Sequence, residues 1–257
     1  MKTFSLFKVN QICTILLCSI LMLNSSCKKD DKVKEPTVEP PTSIQTKTND
    51  RYGEYLTDAQ GKTLYIFSPD VKGNASTCTG GCLTTWPLFY SADLSIAKGL
   101  DKADFSNFTR SDGQQQTAYK GWPLYFYSRD LVAGDVNGEN VGGVWYYAKS
   151  YSLMIARQGS NRYLSDVQGR TLYLFTRDAA NVSNCSGGCA AVWPVFFKEN
   201  LVLPSSLTPT DFGTITRTDQ NKQLTYKGAP LYYYQPDVNR ADTLGQGVNG
   251  VWFKVRP

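Results

Sequence analysis

A short pattern of apolar and polar positions recurs four times along the chain, each time directly after a glycine. The four stretches are GKTLYIFSPD from Gly61, GWPLYFYSRD from Gly121, GRTLYLFTRD from Gly169 and GAPLYYYQPD from Gly228. Each joins a turn-forming glycine to Leu-Tyr-x-(Phe/Tyr), a run rich in residues that favour strands. In the first stretch, Leu64, Tyr65 and Ile66 place apolar groups on both faces of such a strand. We therefore expect a central strand that is covered on both sides.

The four stretches belong to a longer tandem duplication. YLTDAQGKTLYIFSPD from Tyr55 returns as YLSDVQGRTLYLFTRD from Tyr163, and CTGGCLTTWPLFY from Cys78 returns as CSGGCAAVWPVFF from Cys185. The sequence therefore predicts two repeat domains, residues 51–149 and 159–257, with a connecting strand at residues 150–158.

Each copy divides again into two units. A tryptophan follows the motif aspartate after 15 or 16 residues in Asp70 and Trp86, Asp130 and Trp145, Asp178 and Trp193, and Asp237 and Trp252. An apolar or aromatic run follows each tryptophan, so we expect these tryptophans in the core. The predicted fold is mainly β, with two tandem pseudo-repeat β domains. Each domain has two strand–Asp–loop–Trp units, and short helical turns follow the cysteine pairs.

All four stretches fit the signature Tyr-x-(Phe/Trp/Tyr)-x-x-Asp, at Tyr65–Asp70, Tyr125–Asp130, Tyr173–Asp178 and Tyr232–Asp237. In this feature the chain resembles the bacterial lipoproteins of the family described as "secreted repeat of unknown function". The resemblance covers most of the chain beyond its N-terminal segment. It implies a lipid-anchored or secreted module, and it implies no established activity.

The motif aspartates have two interpretations. A carboxylate at the end of a strand accepts hydrogen bonds from N–H groups of the following loop, which is a structural role. Alternatively, the aspartates converge on a metal ion or a sugar. Four symmetric copies favour the structural role, because a single active site needs only one set.

The N-terminal residues have the features of an export signal. Lys2 and Lys8 flank the start of the chain, and the apolar run ICTILLCSILML that follows is too short to span a bilayer comfortably. The next residues, LNSSC, resemble a bacterial lipobox, which predicts a signal peptide over residues 1–26 and a lipid on Cys27. An ordinary signal peptide that leaves Cys27 free is the alternative.

The residues after Cys27 predict where the protein is displayed. KKDDK, at residues 28–32, resembles the short Lys-Asp-Asp signal that sends some lipoproteins to the outer face of the outer membrane. A solvated charge run is the alternative. Residues 27–50 are rich in Lys, Glu, Thr and Pro and predict a disordered tether, with an edge strand near residues 43–47. We expect a lipid-anchored outer membrane protein, exposed at the surface or otherwise facing the periplasm.

Composition excludes several classes of function. The chain has no histidine, which excludes Ser-His-Asp catalysis, His-ligated zinc or copper and haem attachment through Cys-x-x-Cys-His. Removal of residues 1–26 lowers the net charge from +5 to +3, and no basic block follows the tether, so we expect no nucleic-acid partner. Asp135, Asn137 and Glu139 have calcium-loop-like spacing, but no run of acidic ligands completes a site. We predict no metal and no cofactor.

Each copy carries one Cys-x-x-x-Cys pair, Cys78 with Cys82 and Cys185 with Cys189. In an exported protein a disulfide is the default, and the intervening Gly-Gly lets a tight loop close. Redox-cycling dithiols and a shared four-cysteine metal site remain alternatives. No His or Lys is placed in sequence to lower a thiol pKa, which counts against redox cycling.

These features favour a non-enzymatic binding or interaction module at the cell surface, with a glycan, a cell-envelope component or another envelope protein as its partner. The oligomeric state is left open. A redox or electron-transfer accessory that uses the cysteine pairs is the alternative function. An enzyme ranks third, because paired acids such as Asp130 and Asp135 can do acid–base work but nothing marks a nucleophile.

Overall fold

The computed structural model describes residues 43–257. These residues belong to one compact unit. The predicted signal peptide, Cys27 and most of the tether lie outside the described residues. We call residues 43–149 the first half and residues 150–257 the second half.

The fold is mainly β, as predicted. The strands of the first half are β1 (Ile44–Asn49), β2 (Gly53–Asp58), β3 (Tyr65–Phe67), β4 (Phe105–Thr109), β5 (Gln115–Tyr119), β6 (Trp122–Tyr125) and β7 (Trp145–Tyr147). Those of the second half are β8 (Leu153–Gln158), β9 (Asn161–Asp166), β10 (Tyr173–Phe175), β11 (Phe212–Thr216), β12 (Lys222–Tyr226), β13 (Ala229–Pro230) and β14 (Trp252–Lys254).

The helices are short. The two α-helices within residues 43–257 are α1 (Gly81–Thr85) and α2 (Gly188–Val192). Single 3-10 turns cover Ser68–Lys72, Lys102–Asp104, Val141–Gly143, Pro209–Asp211 and Val248–Gly250. Among residues 43–257, none of the helices has the length and apolar character needed to cross a membrane.

Each half is built around an antiparallel arrangement of strands. In the first half the order is β4-β5-β6-β3-β7. In the second half, β11-β12-β13 and β10-β14 keep the same relative order, and pairing of Tyr173 with Tyr232 joins them. A hairpin accompanies each sheet, β1–β2 in the first half and β8–β9 in the second. This order brings the motif strands of the two units in a half side by side.

The end of the tether and the connecting segment take equivalent positions. The strand predicted near the end of the tether is β1, and the connecting segment contains β8. The amides of Ser43 and Ser152 donate to the carbonyls of Ser95 and Val202, over 2.6 Å and 2.8 Å. The start of each strand therefore docks on the long loop of its own half.

The motif strand is central and covered on both sides, as its pattern predicts. β3 lies between β6 and β7. Leu64 and Ile66 pack into the main hydrophobic core, while Tyr65 packs into a separate aromatic cluster. The motif glycine before each such strand has a φ of 78° to 80°. This left-handed conformation favours glycine, which explains why the glycine recurs with the motif.

One hydrophobic core extends through both halves. It contains Leu56, Ile66 and Leu124 of the first half together with Leu164, Leu224 and Leu231 of the second half. Each half adds its own aromatic cluster next to this shared core. The two copies therefore depend on each other for burial.

Arg240 binds both halves at their contact. Its Nε donates to the carbonyl of Val71 over 3.1 Å, and its Nη1 donates to the carbonyls of Lys120 and Gln168 over 2.9 Å and 2.7 Å. Burial lowers the pKa of Arg240 to about 10. The equivalent residue of the first half is Ala133, so this connection exists at one of the two equivalent positions.

Candidate functional site

The motif tyrosines and aspartates bind one another across the two units of a half. In the first half, Tyr65 pairs with Tyr125 in the β3–β6 register. The hydroxyl of Tyr65 donates to Asp130 Oδ2 over 2.6 Å, and the hydroxyl of Tyr125 donates to Asp70 Oδ2 over 2.5 Å. Each unit therefore supplies the phenol that binds the carboxylate of the other unit.

The second half repeats this exchange. Tyr173 donates to Asp237 over 2.6 Å, and Tyr232 donates to Asp178 over 2.7 Å. In all four units the other carboxylate oxygen, Oδ1, accepts a backbone N–H from the following loop, namely from Thr77, Asn137, Asn184 and Leu244. Each motif aspartate thus accepts a hydrogen bond from its own loop through Oδ1 and one from a tyrosine of the other unit through Oδ2.

The two halves differ in how strongly these groups are buried. Asp70 has no exposed surface, whereas Asp178 is only partly buried. Burial raises the pKa of Asp70, and hydrogen bonds from Thr77 and Tyr125 partly offset this effect. Burial also raises the pKa of Tyr125. The charged carboxylate of Asp70 therefore depends on its donors, because water cannot replace them.

The motif tryptophans stack on each other within each half. The rings of Trp86 and Trp145 lie parallel within 5°, with centroids 3.7 Å apart. Phe67 covers Trp145 at 4.1 Å, and Tyr127 covers Trp86 at 4.3 Å. The second half has the same stack of four rings, in the order Phe175, Trp252, Trp193 and Tyr234. All four tryptophans are only 3–4% exposed, so their faces are not available for a ligand.

Both cysteine pairs form disulfides, as predicted. Helix α1 begins one residue before Cys82 and α2 one residue before Cys189, which confirms the predicted helical turns. Cys78 and Cys185 are buried, while their partners in the disulfides are partly exposed. Each disulfide therefore closes a small loop over the aromatic cluster of its half.

A buried arginine holds each cysteine loop in place. Arg110 donates to the carbonyl of Cys78 and to Gln116 Oε1, both over 2.8 Å, and also to the hydroxyl of Ser76. Arg217 makes the equivalent bonds to Cys185, Gln223 and Ser183. Because Ser76 also binds the hydroxyl of Tyr125, the arginine, the tyrosine and Asp70 form one polar network.

The sequence interpretation missed these arginines, although the chain carries a signal for them. TRSDGQQQ from Thr109 and TRTDQNKQ from Thr216 lie at the same spacing as the cysteine segments. Both keep an arginine and, six residues later, a glutamine. A buried charge that the fold requires in both copies explains this pattern.

The acidic residues considered for calcium binding or acid–base chemistry bind other groups. Asp135 Oδ2 accepts the amides of Leu131 and Val132 within its own turn. Glu139 Oε2 accepts the amide of Tyr147 over 2.8 Å. Within residues 43–257, no group of three His, Cys, Asp or Glu side chains is placed to hold a metal ion.

A groove lies where residues of the two halves meet, and we call it the junction groove. One wall carries Tyr52, Glu139 and Lys149 of the first half. The other wall carries Leu201, Leu203 and Ser205 of the second half. Two adjoining cavities of about 430 Å³ and 570 Å³ make up the groove, and Tyr52, Lys149, Leu201 and Leu203 line both. These volumes lie in the range of small-ligand sites.

The junction groove holds partly buried groups of both charge signs. Lys149 Nζ donates to the carbonyl of Tyr52 over 3.0 Å and to the hydroxyl of Tyr147 over 3.2 Å. Burial lowers the pKa of Lys149, and it raises the pKa of Glu139. Ser205 donates to Glu139 Oε1 over 2.5 Å. Polar groups with such perturbed pKa values in a cleft are typical of functional sites.

The second half lacks these groove residues although it has the same fold. The counterparts of Tyr52, Glu139, Tyr147 and Lys149 are Ser160, Gln246, Lys254 and Arg256. Gln246 Oε1 accepts the amide of Lys254 over 3.0 Å, in the way that Glu139 accepts the amide of Tyr147. A neutral side chain thus makes the structural hydrogen bond, so the fold does not require the charge of Glu139.

The relation to other proteins agrees with the internal repeats. No curated protein and no solved structure matches the chain. The family model described as "secreted repeat of unknown function" matches residues 46–89, 106–149, 162–196 and 213–256. Each matched range holds one strand–Asp–loop–Trp unit, and the ranges together cover more than half of the chain. The protein therefore belongs to this family of secreted repeats.

Proposed function

We propose that the protein is a non-enzymatic binding module and that the junction groove is its ligand site. One observation carries this proposal. The fold occurs twice in the chain, but the aromatic ring of Tyr52 and the carboxylate of Glu139 occur only in the first half, and the lysine at residue 149 is replaced by an arginine in the second. Since the second half folds with Ser160, Gln246 and Arg256 at these positions, stability alone does not account for the groove residues.

The ligand that fits the groove best is a neutral glycan segment. The groove has two basic side chains, Arg51 and Lys149, and two acidic ones, Glu54 and Glu139. This balance disfavours a strongly charged ligand. Hydroxyl groups can bind to both signs of charge, and the apolar faces of a sugar ring can lie on Tyr52 or on the leucines of the opposite wall.

The module acts at the cell envelope in this proposal. Membership of a secreted family supports export. Lipidation of Cys27 and display at the outer face of the outer membrane rest on the sequence signals, since these residues lie outside the described part of the chain. Mass spectrometry of the N-terminal peptide tests the lipid, and protease treatment of intact cells tests surface exposure.

The direct test is a glycan array probed with the mature chain, followed by calorimetric titration of the glycans that bind. The groove is then changed to the residues of the second half, as Tyr52→Ser, Glu139→Gln and Lys149→Arg. We expect these variants to fold, because the same residues occupy the equivalent positions of the second half. The triple variant should lose binding by about tenfold or more, as expected when a site loses groups worth about 1.4 kcal/mol.

The matched control changes the second half toward the first, with Ser160→Tyr and Gln246→Glu. These changes leave the junction groove intact and should leave binding unchanged. Equal affinity of the triple groove variant and the wild type would refute the groove as the site. An array without hits, together with capture of an envelope protein that depends on Lys149, would replace the glycan by a protein ligand.

A further inference from the structure

The buried aromatic rings of each half form a continuous series between two carboxylates. In the first half, Tyr65 meets Trp86 edge to face at 5.5 Å, and Tyr125 meets Trp145 in the same way at 5.1 Å. The two indoles between them lie parallel at 3.7 Å. Each phenol donates a hydrogen bond to a carboxylate, Tyr65 to Asp130 and Tyr125 to Asp70.

The second half keeps the same series. Tyr173 lies 5.5 Å from Trp193, Tyr232 lies 5.1 Å from Trp252, and the two indoles are again 3.7 Å apart. Their planes differ by 2°. The phenols donate to Asp237 and Asp178. The order carboxylate, phenol, indole, indole, phenol, carboxylate therefore occurs twice.

This order matches the chemistry of one-electron oxidation. Apart from a free thiolate, indole and phenol are the side chains most easily oxidised by a single electron, and two overlapping indoles share the resulting positive charge. A phenol that loses an electron becomes a strong acid, so its oxidation is easiest where a base already accepts its hydrogen bond. The carboxylate oxygen 2.6 Å from the hydroxyl of Tyr65 is such a base.

We propose that each half holds a one-electron donor that reduces small oxidising radicals. The radical takes one electron from the paired indoles, and an electron from a neighbouring tyrosine then refills them. The O–H bond of that tyrosine breaks and its proton forms a bond to the carboxylate. The products are a reduced anion, a neutral tyrosyl radical and a protonated aspartate. An external thiol or phenol then gives one electron, becomes a thiyl or phenoxyl radical and releases its own proton to water. The aspartate returns its proton to the tyrosine, which restores the resting state.

The exposure of the rings is consistent with electron transfer from each stack to a radical in solution. The indoles themselves are buried, but Phe67 and Phe175 at the ends of the two stacks are partly exposed. A radical in solution therefore comes within a few ring widths of the indoles without contacting the tyrosyl product. This role uses the aromatic stacks rather than the disulfides, and it does not depend on the junction groove.

Pulse radiolysis of the mature chain with the azide radical tests the proposal. The indolyl and tyrosyl radicals have separate absorption bands, so transfer from one to the other is followed directly. We expect a first-order conversion whose rate does not change with protein concentration. The conversion should slow in heavy water, because a proton moves with the electron. A conversion that requires collision of two molecules, or the absence of any conversion, overturns the proposal.

Tyrosine-to-phenylalanine variants identify the rings. Tyr65→Phe with Tyr125→Phe removes the two phenols of the first half that are hydrogen-bonded to aspartates. Because the second half keeps its own series, this change should reduce the amplitude of the isotope-sensitive conversion by about half. Addition of Tyr173→Phe and Tyr232→Phe should abolish that conversion, although Tyr127 and Tyr234 still stack on the indoles, because no carboxylate accepts a proton from either of them. Wild-type amplitude in the fourfold variant would overturn the assignment.

Two controls separate this role from packing. Trp122 lies outside both stacks and binds the carbonyl of Val167, so Trp122→Phe should leave the amplitude unchanged. Tyr90 is exposed and gives a second control, Tyr90→Phe, which should also leave the amplitude unchanged. If the fourfold variant does not fold, the proposal is tested by the two double variants, one for each half, and by the solvent isotope effect on the wild type. A large loss of amplitude in either control, or no solvent isotope effect, counts against the proposal.

Discussion

The exchange of hydrogen bonds between tyrosine and aspartate makes a quantitative prediction about burial. Tyr125→Phe and Tyr232→Phe each remove one hydroxyl from equivalent networks. The first change leaves Oδ2 of the fully buried Asp70 without a donor. The second leaves Oδ2 of Asp178 without one, but Asp178 is partly exposed and water can reach it.

We therefore expect unequal losses in the free energy of unfolding. A hydrogen bond to a charged group contributes about 1.5–3 kcal/mol, and an unsatisfied buried group adds its own cost. Tyr125→Phe should lose about 3 kcal/mol or more. Tyr232→Phe should lose about 1 kcal/mol, the value for a bond that water replaces.

Urea denaturation of the oxidised mature chain, followed by tryptophan fluorescence, measures both losses. Acid provides an internal check, because protonation of Asp70 removes the unpaired charge. The loss caused by Tyr125→Phe should therefore shrink between neutral pH and about pH 4. Equal losses for the two variants, or a larger loss for Tyr232→Phe, would refute the link between burial and the value of this hydrogen bond.

Further predictions concern packing, acid stability and the contact between the halves. Gly138→Ala should cost about 1–3 kcal/mol of stability, because a Cβ there would lie 2.7 Å from the ring of Tyr65. Gly81→Ala is the matched control, since Gly81 also lies outside the left-handed region and a Cβ there would meet no atom within 4 Å. Equal urea midpoints for the two variants would contradict this prediction. Burial raises the pKa of the carboxyl groups of Asp70, Asp130, Asp166, Asp178, Asp237 and Glu139. A carboxyl group whose pKa is higher in the folded than in the unfolded protein stabilises the fold at low pH, and this stabilisation is lost as the pH rises. The urea concentration at the unfolding midpoint should therefore decrease as the pH is raised from about 4 to about 7. An increase over this range would contradict these shifts. Arg240→Ala introduces the residue found at the equivalent position of the first half, Ala133. It should lower the free energy of unfolding by about 2 kcal/mol, because three carbonyls lose their hydrogen-bond donor. An unchanged urea midpoint would show that water replaces the guanidinium.

Local pattern was enough to predict the repeat, the central strand and the disulfides. The alternation at Leu64, Tyr65 and Ile66 is a property of one strand, and the spacing of Cys78 and Cys82 is a property of one loop. Both follow from rules that act over a few residues. The hydrogen bond from the amide of Thr77 to Asp70 could be predicted in the same way, because the two residues are close in sequence.

The remaining features depend on which segments become neighbours. Tyr125 reaches Asp70, 55 residues away in sequence, only because β3 and β6 pair. The stacking of Trp86 on Trp145 and the burial of Arg110 over Cys78 also depend on the sheet order. The junction groove needs the contact between halves, and its residues stand out only when the two copies are compared position by position. Comparing the copies for differences, and not only for matches, would have indicated it from the sequence.

The reciprocal hydrogen bonds also limit the number of repeat units that such a protein can contain. A lone strand–Asp–loop–Trp unit has a tyrosine without a carboxylate, a carboxylate without a tyrosine and half of an indole pair. Two units satisfy each other, and a third would again be incomplete. Loss or gain of a single unit by recombination would therefore bury an unpaired charge. Functional chains built from this unit should carry it in even numbers, and the pair, rather than the unit, is the element that evolution can duplicate.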